Sequence, residues 1–280
     1  MKKSNVLFML LMGLTVLSTN ISCKKDRSSE PEPAEWVLSK VYSNGTLEFT
    51  YSYNDAKQLV EIGSYNIYTG EPNQFVKLEY DEHGLLRKTS VNSEGTATLQ
   101  TVYERGSNGE LVGEETTALA GADAGKVKER KTYTYGEGRV SKVVGLDPDT
   151  GDEVGYMEIE YFPDGTMERS IRYVFDSAQR PHAWTEDHFV GNNRQIPENV
   201  AKYQGNPLIH PYAPFFVAKE FNSIVYDKTT SLVQSEQLVH LKNREYDEAG
   251  FLIKQIMTVE FVKPTKPNDE RVVTYVYAEL

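Results

Sequence analysis

The sequence predicts an all-β protein, an antiparallel up-and-down meander forming a curved sheet or barrel-like structure with one irregular insertion. Three observations carry that reading. Short segments alternate apolar and polar residues with a period of two, as in Leu47, Phe49, Tyr51 and Tyr53 against Glu48, Thr50 and Ser52. These segments belong to a repeated unit: a strand ending in tyrosine, a polar turn that usually bears glycine, and a second strand opening with Leu, Val or Met. The composition, with 18 tyrosines, 39% hydrophobic and 25% charged residues, is that of a folded protein rich in strand-forming aromatics.

The chain begins with Lys2 and Lys3, followed by an apolar run from Val6 to Leu17 that is too short to span a bilayer as a helix. Asn20-Ile21-Ser22 then lead to Cys23, the only cysteine. This order resembles a bacterial lipoprotein signal, although asparagine stands at position 20 where a leucine-like residue is usual. The resemblance implies that residues 1–22 are a signal peptide and that Cys23 is the first mature residue, carrying palmitate-type acyl chains on its sulfur and nitrogen. A lone cysteine also excludes an intramolecular disulfide.

Residues 23–35 are charged, proline-bearing and almost free of apolar side chains, so they are expected to form a flexible tether. Lysines followed by an acidic residue resemble signals that send lipoproteins to the outer face of the outer membrane. Cell-surface display is therefore expected, with a periplasm-facing position as the alternative.

Residues 36–280 are expected to form a single domain of β-hairpin repeats. The clearest copies are Leu47 to Ile62, Val76 to Ser90, Tyr133 to Val144, Met157 to Tyr173 and Arg244 to Ile256, with a weaker copy from Thr101 to Glu114. The tyrosines taken as strand ends, Tyr53, Tyr80, Tyr103, Tyr135 and Tyr161, lie 27, 23, 32 and 26 residues apart, about one hairpin and its return. Turns are expected at Asp81 to Gly84, Asp164-Gly165 and Asp247 to Gly250, and at the other ends of the strands at Tyr68 to Asn73, Asn92 to Gly95, Asp147 to Asp152 and Lys266 to Asp269.

Glu79-Tyr80-Asp81-Glu82-His83-Gly84 and Glu245-Tyr246-Asp247-Glu248-Ala249-Gly250 resemble the tyrosine-aspartate (YD) repeats of large bacterial surface and toxin-shell proteins. Together with the leader and tether, the hairpins look like a domain-of-unknown-function family of bacterial lipoproteins with a porin-like fold. Tyr135-Gly136-Glu137-Gly138 and Tyr103-Glu104-Arg105-Gly106 lack the aspartate, so the motif marks a scaffold rather than an invariant site. The resemblance implies a fold and no activity. Charged polar faces favour a lipid-tethered soluble barrel, with its apolar face inward, over a membrane-spanning one.

Asp176 to Phe221 breaks the repeat and is rich in proline and histidine, with room for a short helix near Ile196 to Tyr203. It is expected to act as a lid or plug, with Trp184, Phe189, Tyr212, Phe215 and Phe216 packed over a sheet face or barrel end; these five are the candidate ligand-binding residues.

No catalytic residues, metal site or cofactor are assigned. His182 and His188 match no zinc spacing, and Pro148 within Asp147 to Glu153 favours an acidic hairpin turn over a calcium loop. There is no phosphate loop and no GxSxG elbow. The formal charge of −11 excludes a nucleic-acid partner. The expected function is a non-enzymatic cell-envelope lipoprotein, anchored in the membrane by its N-terminal lipid and presenting a β scaffold to a glycan, lipid or protein. The alternative is an envelope polysaccharide hydrolase drawing on loop carboxylates.

Overall fold

The computed structural model describes residues 36–163, 167–175, 180–190, 220–227, 232–248, 250–264 and 266–279. Outside the described residues lie the expected signal peptide, Cys23, the tether, the helix expected near Ile196 to Tyr203, and Tyr212, Phe215 and Phe216.

Where the sequence alternates, the backbone is extended. The first strands are β1 (Trp36–Ser43), β2 (Thr46–Tyr53), β3 (Leu59–Tyr65), β4 (Pro72–Asp81), β5 (Gly84–Asn92), β6 (Ala97–Arg105), β7 (Leu111–Ala118) and β8 (Val127–Gly136). They continue as β9 (Arg139–Leu146), β10 (Glu153–Tyr161), β11 (Met167–Phe175), β12 (Pro181–Val190), β13 (Glu220–Tyr226), β14 (Val233–Tyr246), β15 (Leu252–Lys263) and β16 (Lys266–Glu279). Every strand pairs antiparallel with its neighbours in sequence, and β1 also pairs with β16 from Trp36 opposite Glu279 to Ser43 opposite Val273. The sheet is thus a closed barrel, and closure removes the unpaired strand edges that an open sheet exposes.

Side-chain parity decides which face is buried. Val76, Leu78 and Tyr80 of β4 belong to the main apolar cluster with Tyr51, Leu59, Leu85, Tyr103, Leu111, Tyr133, Ile159, Val273 and Tyr275, so this face points inward. The intervening Lys77 and Glu79 face outward. A second apolar cluster, Phe189, Val239, Leu241 and Val259, continues the interior on β12, β14 and β15.

The repeat has one mechanical part that recurs around one barrel end. A register shift occurs just before the strand-end residue in six hairpins: at Tyr53, Tyr80, Arg105, Tyr135, Tyr161 and Tyr246, opposite Leu59, Leu85, Leu111, Val140, Met167 and Leu252. Such bulges raise local twist and help a wide sheet close. Three of these phenols, and Tyr277 of β16 besides, reach sideways to the preceding strand. Tyr53 donates to the Leu38 carbonyl at 2.9 Å, Tyr80 to Leu59 at 2.7 Å, Tyr161 to Val140 at 2.8 Å and Tyr277 to Leu252 at 3.0 Å.

Turn chemistry follows the residues. Asn44 and Gly45 (φ 51° and 82°) and Glu137 and Gly138 (φ 52° and 78°) have the paired positive φ of a type I′ hairpin. Asp81 accepts from the His83 backbone N–H at 2.8 Å, and Asp247 from Phe251 at 2.8 Å, so the aspartate after the tyrosine caps its own turn. Asp147 likewise accepts from the backbones of Asp149 and Thr150, and these bonds hold its carboxyl below the usual range.

Four expectations need revision. The strand-end position of the weak copy belongs to Arg105, because Arg105 pairs with Leu111 while Tyr103 lies two residues inside the strand, opposite Glu114. The turn expected at Lys266 to Asp269 falls earlier, at Pro264, and those residues already run in β16. Within the stretch expected to be irregular, residues 181–190 continue the meander as β12 and Glu220 opens β13. Glu48, assigned to the wet face by alternation, occupies a bulge that turns it inward.

Candidate functional site

The interior is not filled everywhere. A cavity of about 300 Å³ is bounded by β1, β2, β13, β14, β15 and β16. Its walls are largely apolar and aromatic: Val41, Phe49, Tyr51, Phe221, Val239, Leu241, Met257, Val273 and Tyr275. Four polar side chains enter it, Glu48, Gln237, Gln255 and Arg271. Apolar walls with a few placed polar groups are the usual make-up of a small-molecule site.

Local structure explains each polar group. Between β1 and β2 the register slips, Val41 pairing with Phe49 and Tyr42 with Leu47, which leaves Glu48 as the extra residue. Consecutive residues Glu48 and Phe49 therefore both face the cavity. Burial pushes the Glu48 carboxyl up, and Arg271 draws it partly back. Among the described residues the Glu48 carboxylate makes no hydrogen bond or ion pair. Arg271, on β16, forks onto Asp269 two residues away, with Nε at 2.7 Å from a carboxylate oxygen and Nη2 on the same atom. Gln255, only 1% exposed, accepts from Arg244 Nε at 3.2 Å and donates to the Tyr275 phenol, while burial drives the Tyr275 pKa up.

A second polar group sits on the inner face of β6 to β8. Thr101 and Thr116 share a 2.8 Å hydroxyl hydrogen bond. Glu114 accepts from Lys131 at 2.8 Å, and Lys131 also meets Glu129 at 2.8 Å. Burial alone would lower the Lys131 pKa, but the two glutamates together outweigh it and leave it raised. Tyr103 and Tyr133 flank Glu114; burial first, and the carboxylate next, push both phenols up. The second Glu114 oxygen and the two phenol oxygens are sealed from solvent, so this cluster is a packed joint of the wall and not a mouth for a ligand.

Of the candidate ligand-binding residues, Trp184 and Phe189 are strand residues of β12. The Arg172 guanidinium lies 5.5 Å from the Trp184 ring. Phe189 is buried and stacks on Phe221 at 4.8 Å, so it backs the cavity wall through Phe221. His188 is elsewhere: its Nε2 lies 2.7 Å from Glu186 on the outer face, beside Arg169 and Tyr226. Among the described residues no group of three or more His, Cys, Asp or Glu is placed to hold a metal ion. Glu48, Gln237, Gln255 and Arg271 were missed in the sequence because nothing local distinguishes them from other polar residues of alternating strands.

No family model matches the sequence. No curated relative matches it either. Solved structures do match. The barrel shares its fold with a porin-like protein of Bacteroides uniformis. The two superpose with a TM-score of 0.50 at 14% identity, over 86% of this chain and 96% of that one. A porin-like protein of Bacteroides vulgatus aligns over 87% of this chain and 99% of its own, at 9% identity and a TM-score of 0.46. At such identities the first likeness is one of fold alone, and the second carries no further argument.

Proposed function

We propose that this protein is a non-enzymatic lipoprotein of the bacterial cell envelope, lipidated at Cys23, whose barrel binds a small amphipathic ligand, part of a glycan or a lipid, in its interior. The observation that carries the reading is the cavity itself: aromatic and aliphatic walls with Glu48, Gln237, Gln255 and Arg271 placed among them. Among the described residues its lining contains one carboxylate, whereas glycoside hydrolysis uses two across the scissile bond, which favours binding over the hydrolase alternative. The leader and tether support an outer-membrane address.

A membrane-spanning channel is disfavoured by the outer face. Lys77, Arg87, Arg130, Lys142 and Lys254 project from the faces opposite the core, three of them paired with Glu79, Glu115 and Glu245. Lys142 instead covers the outward ring of Tyr156 at 4.2 Å, and Tyr156 stacks on Tyr173. A Lys or Arg at the mid-depth of a lipid-facing strand costs roughly 2–4 kcal/mol, so charges spread over this face oppose its burial in lipid.

Titration calorimetry of the purified protein with a panel of envelope oligosaccharides and single-chain lipids tests the reading. Saturable one-site binding is expected, lost in Met257→Trp, which fills the cavity. Absence of saturable binding across the panel, or binding untouched by Met257→Trp, overturns it.

A further inference from the structure

From the charges lining the cavity we infer that its ligand carries a single positive charge, an ammonium group on an apolar or saccharide body. This inference rests on the reading of the cavity as the binding site and adds the ligand's chemistry to it.

Among the described residues the cavity holds one acid, Glu48, and one base, Arg271, but the two are not equivalent. Arg271 is already forked onto Asp269, so its charge is met within its own strand. Glu48 has no hydrogen bond or ion pair among the described residues, and the bulge holds it in the cavity wall. Asp269 offsets Arg271, and Arg244, whose Nε donates to Gln255, lies outside the lining, so among the described residues Glu48 is the lining charge left without a bonded partner. No lysine lines it. Phe49 and Tyr51 lie on the same strand as Glu48, and aromatic faces beside a carboxylate are the combination that recognises ammonium groups. Burial pushes the Glu48 carboxyl up by more than the attraction of Arg271 draws it back, so Arg271 offsets its charge only in part. Gln237, on the wall, adds a neutral hydrogen-bonding group suited to a hydroxyl or headgroup oxygen.

Two sources of such a cation are distinguishable, an amino sugar and an alkyl amine. The test is titration calorimetry of the full-length protein against matched pairs at neutral pH: glucosamine with glucose, and octylamine with octanol. In one pair the amine is expected to bind at least tenfold more tightly than its neutral isostere, and which pair responds identifies the source. Glu48→Gln is expected to erase that ratio, and Gln237→Glu, which adds an acid to the same wall with little change of shape, to raise it. Equal binding of amine and isostere, or a ratio that survives Glu48→Gln, overturns the inference while leaving the binding role standing. If Glu48→Gln fails to fold, a ratio unmoved by Gln237→Glu overturns it. Failure of all four probes, together with failure of the oligosaccharide and lipid panel, sinks both.

Discussion

Arg105 donates from Nη2 to the Leu85 carbonyl at 3.1 Å, taking the place that tyrosine holds elsewhere in the repeat. Its other terminal nitrogen meets the Gly109 carbonyl at 2.6 Å, so one guanidinium ties the preceding strand and its own turn. The approach runs over Gly84, where an added Cβ would stand 2.8 Å from Nη2 and where φ is 115°. The slot therefore asks for a long side chain with a donor at its tip, and both phenol and guanidinium meet that demand.

The first prediction concerns this ring of ties. Tyr80→Phe removes the bond to Leu59 and is expected to cost about 1 kcal/mol. Tyr80→Ala also empties the space of the ring and is expected to cost about 3–5 kcal/mol. Arg105→Tyr is expected to stay within about 1 kcal/mol of the natural chain, whereas Arg105→Ala loses both bonds. Urea unfolding curves decide it; an Arg105→Tyr variant as weak as Arg105→Ala would show that the slot is not interchangeable.

A second prediction addresses the buried pair on β7 and β8. Lys131→Met leaves Glu114, whose side chain is 3% exposed, without the cation bonded to it and with Lys88 as its remaining positive neighbour, and is expected to cost roughly 3 kcal/mol. Adding Glu114→Gln removes the stranded charge and is expected to recover most of that loss. A double variant no more stable than Lys131→Met would mean that Glu114 gains nothing from the lysine.

Legibility in the sequence followed local simplicity. Val76, Leu78 and Tyr80 alternate cleanly with Lys77 and Glu79, and so the inward face, the turn at Asp81 to Gly84 and the meander were readable. β12 was not. Its sequence, PHAWTEDHFV, loads polar groups on both faces, Asp187 bonding Ser223 at 2.7 Å on one side and Glu186 bonding Arg169 at 2.7 Å on the other. Its partners lie on β11 and β13, so no window of the sequence displays them. The cavity was unreadable for a related reason: a one-residue slip opposite Val41 and Tyr42 reverses the direction of Glu48, and alternation cannot reveal a slip.

The third prediction is alkaline unfolding. Burial raises the phenols of Tyr103, Tyr133, Tyr275 and Tyr277 above their ordinary value of 10.0. A group with a raised folded pKa keeps its proton longer in the folded state. Its stabilisation is complete below about pH 10 and is lost as pH rises from there toward the folded value. Lys131, also raised, acts in the same direction. Lys88, lowered by burial, acts oppositely until it too deprotonates in the unfolded chain. The net expectation is a stability plateau up to about pH 10 and a steep fall above it, with tyrosinate absorbance appearing together with unfolding. Tyr103→Phe with Tyr133→Phe should flatten the fall; phenols that ionise well before the sheet unfolds would contradict the burial argument.

The last prediction turns on the outer face. Outward apolar side chains such as Val102, Val154 and Val276 are exposed, but they are interspersed with the outward pairs Arg87 with Glu79, Arg130 with Glu115 and Lys254 with Glu245. Scattered valines of this kind are ordinary for a wetted surface, whereas a lipid-facing barrel requires an uninterrupted apolar band with aromatic girdles. The chain from Glu35 onward forms a compact unit by itself and is expected to remain monodisperse without detergent. In cells, Cys23→Ser is expected to abolish palmitate labelling and, with residues 1–22 exchanged for a leader that is cleaved without lipidation, to release the chain from the membrane fraction. A barrel that precipitates without detergent, or stays in the membrane fraction after Cys23→Ser behind a cleaved leader, would mean that the strands themselves hold it there.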